Sequence, residues 1–288
     1  MTRYAIGLPN VGEFGDPRLL RDLAVLAEES GWDGVYLWDH TLFHEPEWPV
    51  ANPTVTAAAI AVATRRVRIL LACVLARRRV AVVARETVGL DLLSDGRLTL
   101  VAPLGSLDLE FAGFGEPADL RARGEALTRN LEDLVRLWSG EPVVLGGGAG
   151  PVQMVPPPVQ RPRIPIWCGG TWPNRRPLRR AARFDGAMPT FAEQKTRRPP
   201  PEEFAAATAY IAGHREGGLA GYDVVLEGST DPDSAAEVVS SYVDAGLTWW
   251  VEEMGWWRVP PDAPPGAVAR FARERIAAGP PRIAAPSD

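Results

Sequence analysis

A chain of 288 residues is long for one ordinary domain and short for two, yet a closed barrel of alternating strands and helices holds about 250 residues in a single unit. Hydrophobic content of 46% and charged content of 23% are those of a soluble globular protein with a large core. The net charge of −5 argues against general nucleic-acid affinity, which needs a basic face, although Arg77-Arg78-Arg79, Arg175-Arg176 and Arg179-Arg180 form local basic clusters. Cys73 and Cys168 make neither a disulfide framework nor a zinc site, and both read best as small buried hydrophobes. The opening MTRYAIGLPN lacks a signal-peptide pattern and no apolar run reaches the roughly 20 residues of a membrane span, so a cytoplasmic, soluble protein is expected.

In chain order, residues 3–8 alternate as a strand. Asp16-Pro17 is an N-cap with proline at the first helical position; Leu19, Leu20, Leu23, Leu26 and Ala27 follow at helical spacing, and Gly31 ends the helix. A second strand covers 32–38, and Asn52-Pro53 repeats the cap signal ahead of an alanine-rich helix reaching Thr64. Residues 67–75 form an unbroken apolar strand, the mark of a parallel strand covered on both faces. A helix over 80–93, a strand over 97–101 and a helix over 124–138 follow. An irregular insertion rich in Gly and Pro (GGGAGPVQMVPPPVQRP) separates this fourth helix from the fifth strand, 164–168. The rest alternates: helix 175–183, strand 186–190, helix 201–214, strand 222–227, helix 234–245, strand 248–253 and helix 265–277.

Strict alternation of eight strands and eight helices implies right-handed crossovers and a parallel sheet, and eight units point to a closed (β/α)8 TIM barrel, one domain over 1–288. An open dinucleotide-binding sheet should carry G-x-G-x-x-G after its first strand, where this chain has LPNVGEFGDP. In a barrel the active site lies at the C-terminal strand ends, so the strand tails can be read for chemistry. Strand two ends in Trp38-Asp39-His40, strand three in Ala72-Cys73-Val74, strand four in Ala102-Pro103-Leu104-Gly105, and strand five in Cys168-Gly169-Gly170-Thr171. Strand eight runs into Trp256-Trp257. No metal-ligand cluster, Schiff-base lysine at strand six or seven, or G-x-S-x-G turn is present. A flat aromatic cofactor that brings its own chemistry suits this mouth better than hydrolysis or aldol chemistry.

Six phrases now carry a specific resemblance: GWDGVYLWDH, NPTVTAAAIAVATRRVRIL, LDLLSDGRLTL, EFAGFGE, LEDLVRLWSGEPV and RPRIPIWCGG. In order and spacing the chain resembles the bacterial luciferase-like superfamily of flavin- and deazaflavin-dependent oxidoreductases over nearly its whole length. The resemblance implies that Asp39 and His40 lie by the reactive face of the cofactor. A histidine exchanges protons readily near neutral pH and a neighbouring carboxylate can hold its tautomer. The blander reading has Asp39 capping the loop and His40 packing under the ring. By resemblance, Ala72, Cys73 and Val74 support the cofactor's central ring through a non-proline cis peptide, which persists only where a site enforces it. Gly169, Gly170 and Thr171 resemble a phosphate loop, close enough to an anion for lack of side chains and followed by a helix N-terminus, or else form a tight turn. Thr190, Arg175 and Arg176 are further candidates and Lys195, the only lysine, a weaker one.

The departure lies after strand four, where family members carry a glycine-rich phrase and this chain has Ala102, Pro103 and Leu104. Pro103 removes a backbone donor, which places cofactor binding there in question. Asp108 and Glu110 are nearby acids that could serve in catalysis, with surface solvation the favoured reading for both. Trp38, Trp48, Trp172 and Trp256 are expected to line a substrate pocket, with a subunit interface as the other reading for the loop tryptophans. The resemblance implies coenzyme F420 as cofactor, with FMN as the alternative. The Asp39-His40 pair and the basic clusters favour F420, whose tail is acidic. Hydride transfer to or from a small organic substrate is the expected chemistry. Alternatives are an FMN-dependent monooxygenase fed by a flavin reductase and a non-catalytic barrel subunit. A homodimer is expected, with no metal, nucleic-acid or membrane partner.

Overall fold

The structure, a computed structural model, describes residues 2–194, 197–281 and 283. Eight parallel strands close in the order β1-β2-β3-β4-β5-β6-β7-β8, with β1 pairing β8. They are β1 (Arg3–Leu8), β2 (Gly34–Leu37), β3 (Arg68–Ala72), β4 (Leu98–Ala102), β5 (Ile166–Thr171), β6 (Gly186–Thr190), β7 (Asp223–Gly228) and β8 (Trp249–Glu253). The helices are α1 (Pro17–Glu29), α2 (Pro53–Ala63), α3 (Val80–Leu93), α4 (Leu109–Ala112), α5 (Leu120–Leu137), α6 (Arg175–Ala181), α7 (Pro201–Ala212), α8 (Ala235–Val243) and α9 (Ala267–Ala277). The TIM barrel read from the alternation is therefore the observed fold.

The expected caps are in place. The Asp16 carboxylate accepts from Arg18 N–H at 2.9 Å, and Asn52 Oδ1 accepts from Val55 N–H at 3.1 Å, each just before a proline that starts the helix. The insertion after α5 is tied down by a short antiparallel bridge, Val143 to Val152. It is also held by the buried Asp91, whose carboxylate accepts from Val159 N–H at 2.8 Å and Gln160 N–H at 3.0 Å.

Three local departures from the sequence reading bear on the site. The Gly169-Gly170-Thr171 stretch is not a loop but the end of β5, in register with Met188, Pro189 and Thr190 of β6. Strand β3 stops at Ala72, and Leu75 N–H then bonds to Cys73 O at 2.9 Å across Val74 (φ −77°, ψ 82°), an inverse γ-turn. Cis peptide bonds among the described residues are Val155-Pro156, Arg161-Pro162 and Trp172-Pro173, so the non-proline cis bond expected at 72–74 is replaced by this turn. A ninth helix, the single turn α4, sits between β4 and α5.

The barrel interior is filled from below. Trp167 of β5 and Trp249 of β8 are buried and meet edge to face with centroids 5.5 Å apart. They fit because Gly34 and Gly186 face them. A methyl group at Gly34 would sit 3.1 Å from the Trp249 ring, and one at Gly186 would sit 2.3 Å from Trp167 Cδ1. Above this plug, at the C-terminal strand ends, the interior opens into free space. Gly186→Ala is expected to lower the unfolding free energy by about 1–3 kcal/mol through overpacking, read as an earlier urea midpoint at unchanged m-value.

Candidate active site

Strand β2 delivers three consecutive side chains to the mouth, and each is fixed by a partner distant in sequence. Asn10, buried after β1, spans the first two strand ends. Its Nδ2 donates to His40 O at 2.8 Å and Ala51 O at 2.7 Å, while its Oδ1 accepts from His40 N–H at 3.0 Å. Trp38 Nε1 donates to Glu227 Oε1 of β7 at 3.2 Å. The Asp39 carboxylate, with no exposed side-chain surface, accepts from Val74 N–H at 2.7 Å and from Arg78 Nη2 at 2.6 Å. It thereby clamps the γ-turn after β3.

Arg77 joins the second carboxylate to the first. Its guanidinium lies 3.3 Å from Asp39 Oδ1 and 2.7 Å from Glu110 Oε2, and it also donates to Asp39 O. Glu110, on α4 and only 1% exposed, accepts from Thr41 N–H at 2.6 Å and faces His40 Nδ1 at 3.2 Å. Burial opposes the ionisation of Glu110, but the His40 hydrogen bond, the Thr41 N–H and the Arg77 charge outweigh it and hold the carboxyl below its ordinary range. An ionised carboxylate only accepts, so His40 Nδ1 carries the proton of this bond and Nε2 is left as the basic nitrogen of the neutral ring. With a neutral imidazole, two carboxylates balance two guanidinium groups.

The one-turn helix that carries Glu110 is itself braced. The buried Arg123 of α5 donates to Asp108 Oδ1 at 2.6 Å and stacks its guanidinium 3.8 Å from the Phe111 ring centroid. Gly105 has φ +90°, and a methyl there would lie 2.9 Å from the Phe111 ring, so the loop from β4 can turn back only with glycine.

Above the tryptophan plug these groups border a cleft of about 500 Å³, within the range of small-molecule sites. Tyr36, Trp38 and Phe43 give aromatic wall, Asp39 and His40 lie along one side, and Ala72, Gly169 and Gly170 supply surface without bulk. Burial, with Glu227 and Asp39 nearby, pushes the Tyr36 phenol well above its ordinary value, so it remains a hydroxyl. Thr171 and Thr190 bond hydroxyl to hydroxyl at 2.9 Å at the rim.

The luciferase-like monooxygenase family model matches residues 4–275. The chain belongs to the luciferase-like monooxygenase family. Among solved structures it is similar to monooxygenase RslO1 from Streptomyces bottropensis, at 21% identity over 96% of this chain and 98% of that one, with a TM-score of 0.71. It is also similar to the coenzyme F420-dependent tetrahydromethanopterin reductase from Methanopyrus kandleri, at 15% identity, 96% coverage of both chains and a TM-score of 0.74. A third likeness is to the oxygenating constituent of 3,6-diketocamphane monooxygenase from Pseudomonas putida, at 13% identity, 99% coverage of both chains and a TM-score of 0.74. At these identities the likenesses establish a shared barrel. The family consists of oxidoreductases and monooxygenases.

Of the residues singled out in the sequence, Trp38, Asp39, His40, Ala72, Val74, Gly169, Gly170, Thr171 and Thr190 all border the one cleft. Four do not. Cys73 turns outward into the layer between strands and helices, where burial pushes its thiol up to about 12. Trp172 packs near Tyr210, with centroids 6.0 Å apart, away from the cleft. Trp48 and Trp256 stand behind it, Trp48 stacking on Phe43 at 5.8 Å and Trp256 meeting it at 5.3 Å. They brace the wall rather than form it. Lys195 lies outside the described residues.

Two further readings are corrected. Glu110, taken for a solvated acid, is the buried partner of His40, whereas Asp108 is indeed exposed. Arg77 and Arg78, read as part of a local basic cluster, are committed to Asp39 and Glu110. The Ala102-Pro103-Leu104 departure is milder than it reads. Ala102 points into the outer core, and the N–H groups of Leu104, Gly105 and Ser106 beside the cleft have no acceptor among the described residues. Among those residues there is also no group of His, Cys, Asp and Glu able to hold a metal, and no helix long and apolar enough to cross a membrane.

Glu110→Gln leaves Arg77 facing one carboxylate instead of two and is expected to destabilise the protein by about 3 kcal/mol at pH 7. Because the folded-state pKa of Glu110 is depressed, its contribution is complete above the ordinary value of 4.5 and fades as pH falls through the lower folded value. The difference in urea-unfolding free energy between wild type and variant should therefore narrow on acidification below about pH 4.5.

Proposed function

We propose that the protein is an oxidoreductase that seats a flavin-type cofactor in the mouth cleft and moves a hydride between it and a small organic substrate, with coenzyme F420 favoured over FMN. The observation that carries this reading is the His40–Glu110 pair at the cleft wall: a histidine held by a buried carboxylate with Nε2 unpartnered among the described residues. Related barrels are described as an F420-dependent reductase and as a monooxygenase in complex with FMN, which supports a flavin-type group and leaves the choice to the site.

The residues fit such a group. The cleft has aromatic and small-residue walls for a flat ring system, and Gly170 lets α6 pack close against the end of β5, since a methyl there would meet Pro177 Cβ at 2.4 Å. Free N–H groups at Leu104, Gly105 and Ser106 and the Thr171–Thr190 hydroxyls would hold a phosphate. When bound, the cofactor supplies the hydride acceptor or donor. His40 Nε2 takes the proton that leaves the substrate as it is oxidised, or returns it on reduction, while Glu110 stabilises the imidazolium. Asp39 does not touch the reacting atoms; it fixes the loop on which His40 stands.

The aromatic shelf of Trp38, Phe43, Trp48, Trp256 and Trp257 favours a second reading, an FMN monooxygenase supplied with reduced flavin by a reductase, because such chemistry needs a dry pocket. Fluorescence titration of the apoprotein separates the two. Quenching of F420 with FMN unbound supports hydride transfer, whereas tight binding of FMN alone supports the monooxygenase. In the first case His40→Ala is expected to cut kcat by about 10²–10⁴-fold with cofactor affinity changed only a few-fold.

We further propose a homodimer that meets through α2 and α3, whose outer faces expose Val55, Val62, Val82, Leu92 and Leu93. Val62→Glu with Leu92→Glu is expected to convert a sedimenting dimer to a folded monomer; an unchanged sedimentation coefficient would move the interface elsewhere.

A further inference from the structure

Several polar groups bordering the cleft are already engaged with one another. Asp39 and Glu110 meet Arg77 and Arg78, His40 Nδ1 meets Glu110, and Thr171 meets Thr190. The Tyr36 hydroxyl differs. Tyr36 is 7% exposed and belongs to the inner layer of side chains, together with Val101, Trp167 and Trp249. It stands two residues along β2 from Gly34, the glycine that faces Trp249, and so lies one layer above the tryptophan plug. Its hydroxyl has no hydrogen-bond partner among the described residues, and the surface it keeps opens into the cleft. A buried donor left unpaired is costly, so this hydroxyl is a contact held open for a ligand.

An acceptor stands beside it. Tyr36 is in register with Gly7 of β1. A methyl group at Gly7 would lie 3.2 Å from Glu227 Oε1, so the carboxylate of Glu227 reaches from β7 over bare β1 backbone towards β2. There it accepts from Trp38 Nε1 at 3.2 Å, and its charge acts on the Tyr36 phenol more strongly than any other. A carboxylate has about four lone-pair sites, so the bond to Trp38 does not prevent it from accepting from a ligand.

Donor and acceptor thus meet at one spot on the cleft floor. A hydroxyl is the smallest group that answers both, since its lone pairs accept from Tyr36 while its O–H donates to Glu227. An ether or ketone can use Tyr36 alone, and a carboxylate would be repelled by Glu227. The rings of Tyr36, Trp38 and Phe43 around this spot match a flat, aromatic bearer of that hydroxyl.

We propose that the cleft floor is a hydroxyl-selecting subsite, in which Tyr36 donates to, and Glu227 accepts from, the hydroxyl of a hydroxylated aromatic substrate. This rests on the reading that the cleft is an oxidoreductase active site and deepens it by naming the substrate class.

Three probes of nearly one shape test it by equilibrium dialysis against the full chain. 2-Naphthol donates and accepts, 2-methoxynaphthalene only accepts, and 2-methylnaphthalene does neither. The wild type should bind 2-naphthol about tenfold more tightly than 2-methylnaphthalene, with the ether between them. In Tyr36→Phe, the naphthol and the ether should each lose about fivefold, while 2-methylnaphthalene binds as before. In Glu227→Met, the advantage of the naphthol over the ether should disappear. A wild type that binds the three alike, or binds none, overturns the proposal, as does a naphthol preference that survives both substitutions. If a variant loses all three probes, the order in the wild type decides alone. Parallel titration with F420 and FMN separates this from the cofactor reading. A bound chromophore with undistinguished probes overturns the subsite and keeps the cofactor; the expected probe order with neither chromophore bound does the reverse.

Discussion

Two buried carboxylates, Asp39 and Glu110, face one guanidinium, Arg77, at the mouth of the barrel. Isolated charges at such depth would be expensive, and the arrangement holds because Arg78, Val74 N–H and Thr41 N–H occupy the remaining acceptor positions. The cluster ties together the ends of β2 and β3 and the turn α4, three pieces of chain that share no backbone ladder at this level. Its chemical consequence is narrow and definite. One nitrogen of His40 is consumed by Glu110, so the other is the one presented to a ligand.

The packing inside the barrel leaves room for a ligand at its C-terminal mouth. Trp167 and Trp249 close the interior from below, facing glycines that leave room for them. Above them the lining changes from bulk to small residues at Ala72, Gly169 and Gly170, with aromatic rings on the opposite wall. A flat ring system is what such a slot accommodates, in keeping with the luciferase-like family to which the chain belongs. Arginines that look alike in the sequence do different jobs: Arg77 and Arg78 are internal counter-ions, while those along α6 face an open groove.

Much of this was legible in the chain because it depends on local rules. The capped helix starts at Asp16-Pro17 and Asn52-Pro53, the apolar run of β3 and the alternation of elements are short-range patterns, and they led to the barrel and to Asp39-His40 at a strand end. Features built from partners far apart in sequence were not legible. Glu110 sits in a four-residue turn too short to show a helical period, and its burial depends on His40, 70 positions away. Gly169-Gly170-Thr171 reads as a loop by composition, yet its pairing with β6 makes it strand. The loop tryptophans were rightly aromatic candidates, but whether a ring lines a cleft or props another ring is decided by packing. Trp48 and Trp256 fall on the second side of that line.

The central claim is that buried charge fixes the tautomer of His40, and ring-nitrogen NMR on ¹⁵N-histidine-labelled protein tests it most directly. The three histidines are His40, His44 and His214, so the His40 signals are assigned by comparison with a His40→Gln sample. The account predicts, for the neutral ring of His40, a protonated Nδ1 and an unprotonated Nε2 in the wild type, and a mixture of tautomers once Glu110→Ala removes the acceptor. An Nε2-protonated ring in the wild type, or a ring whose tautomer is untouched by loss of Glu110, would contradict it.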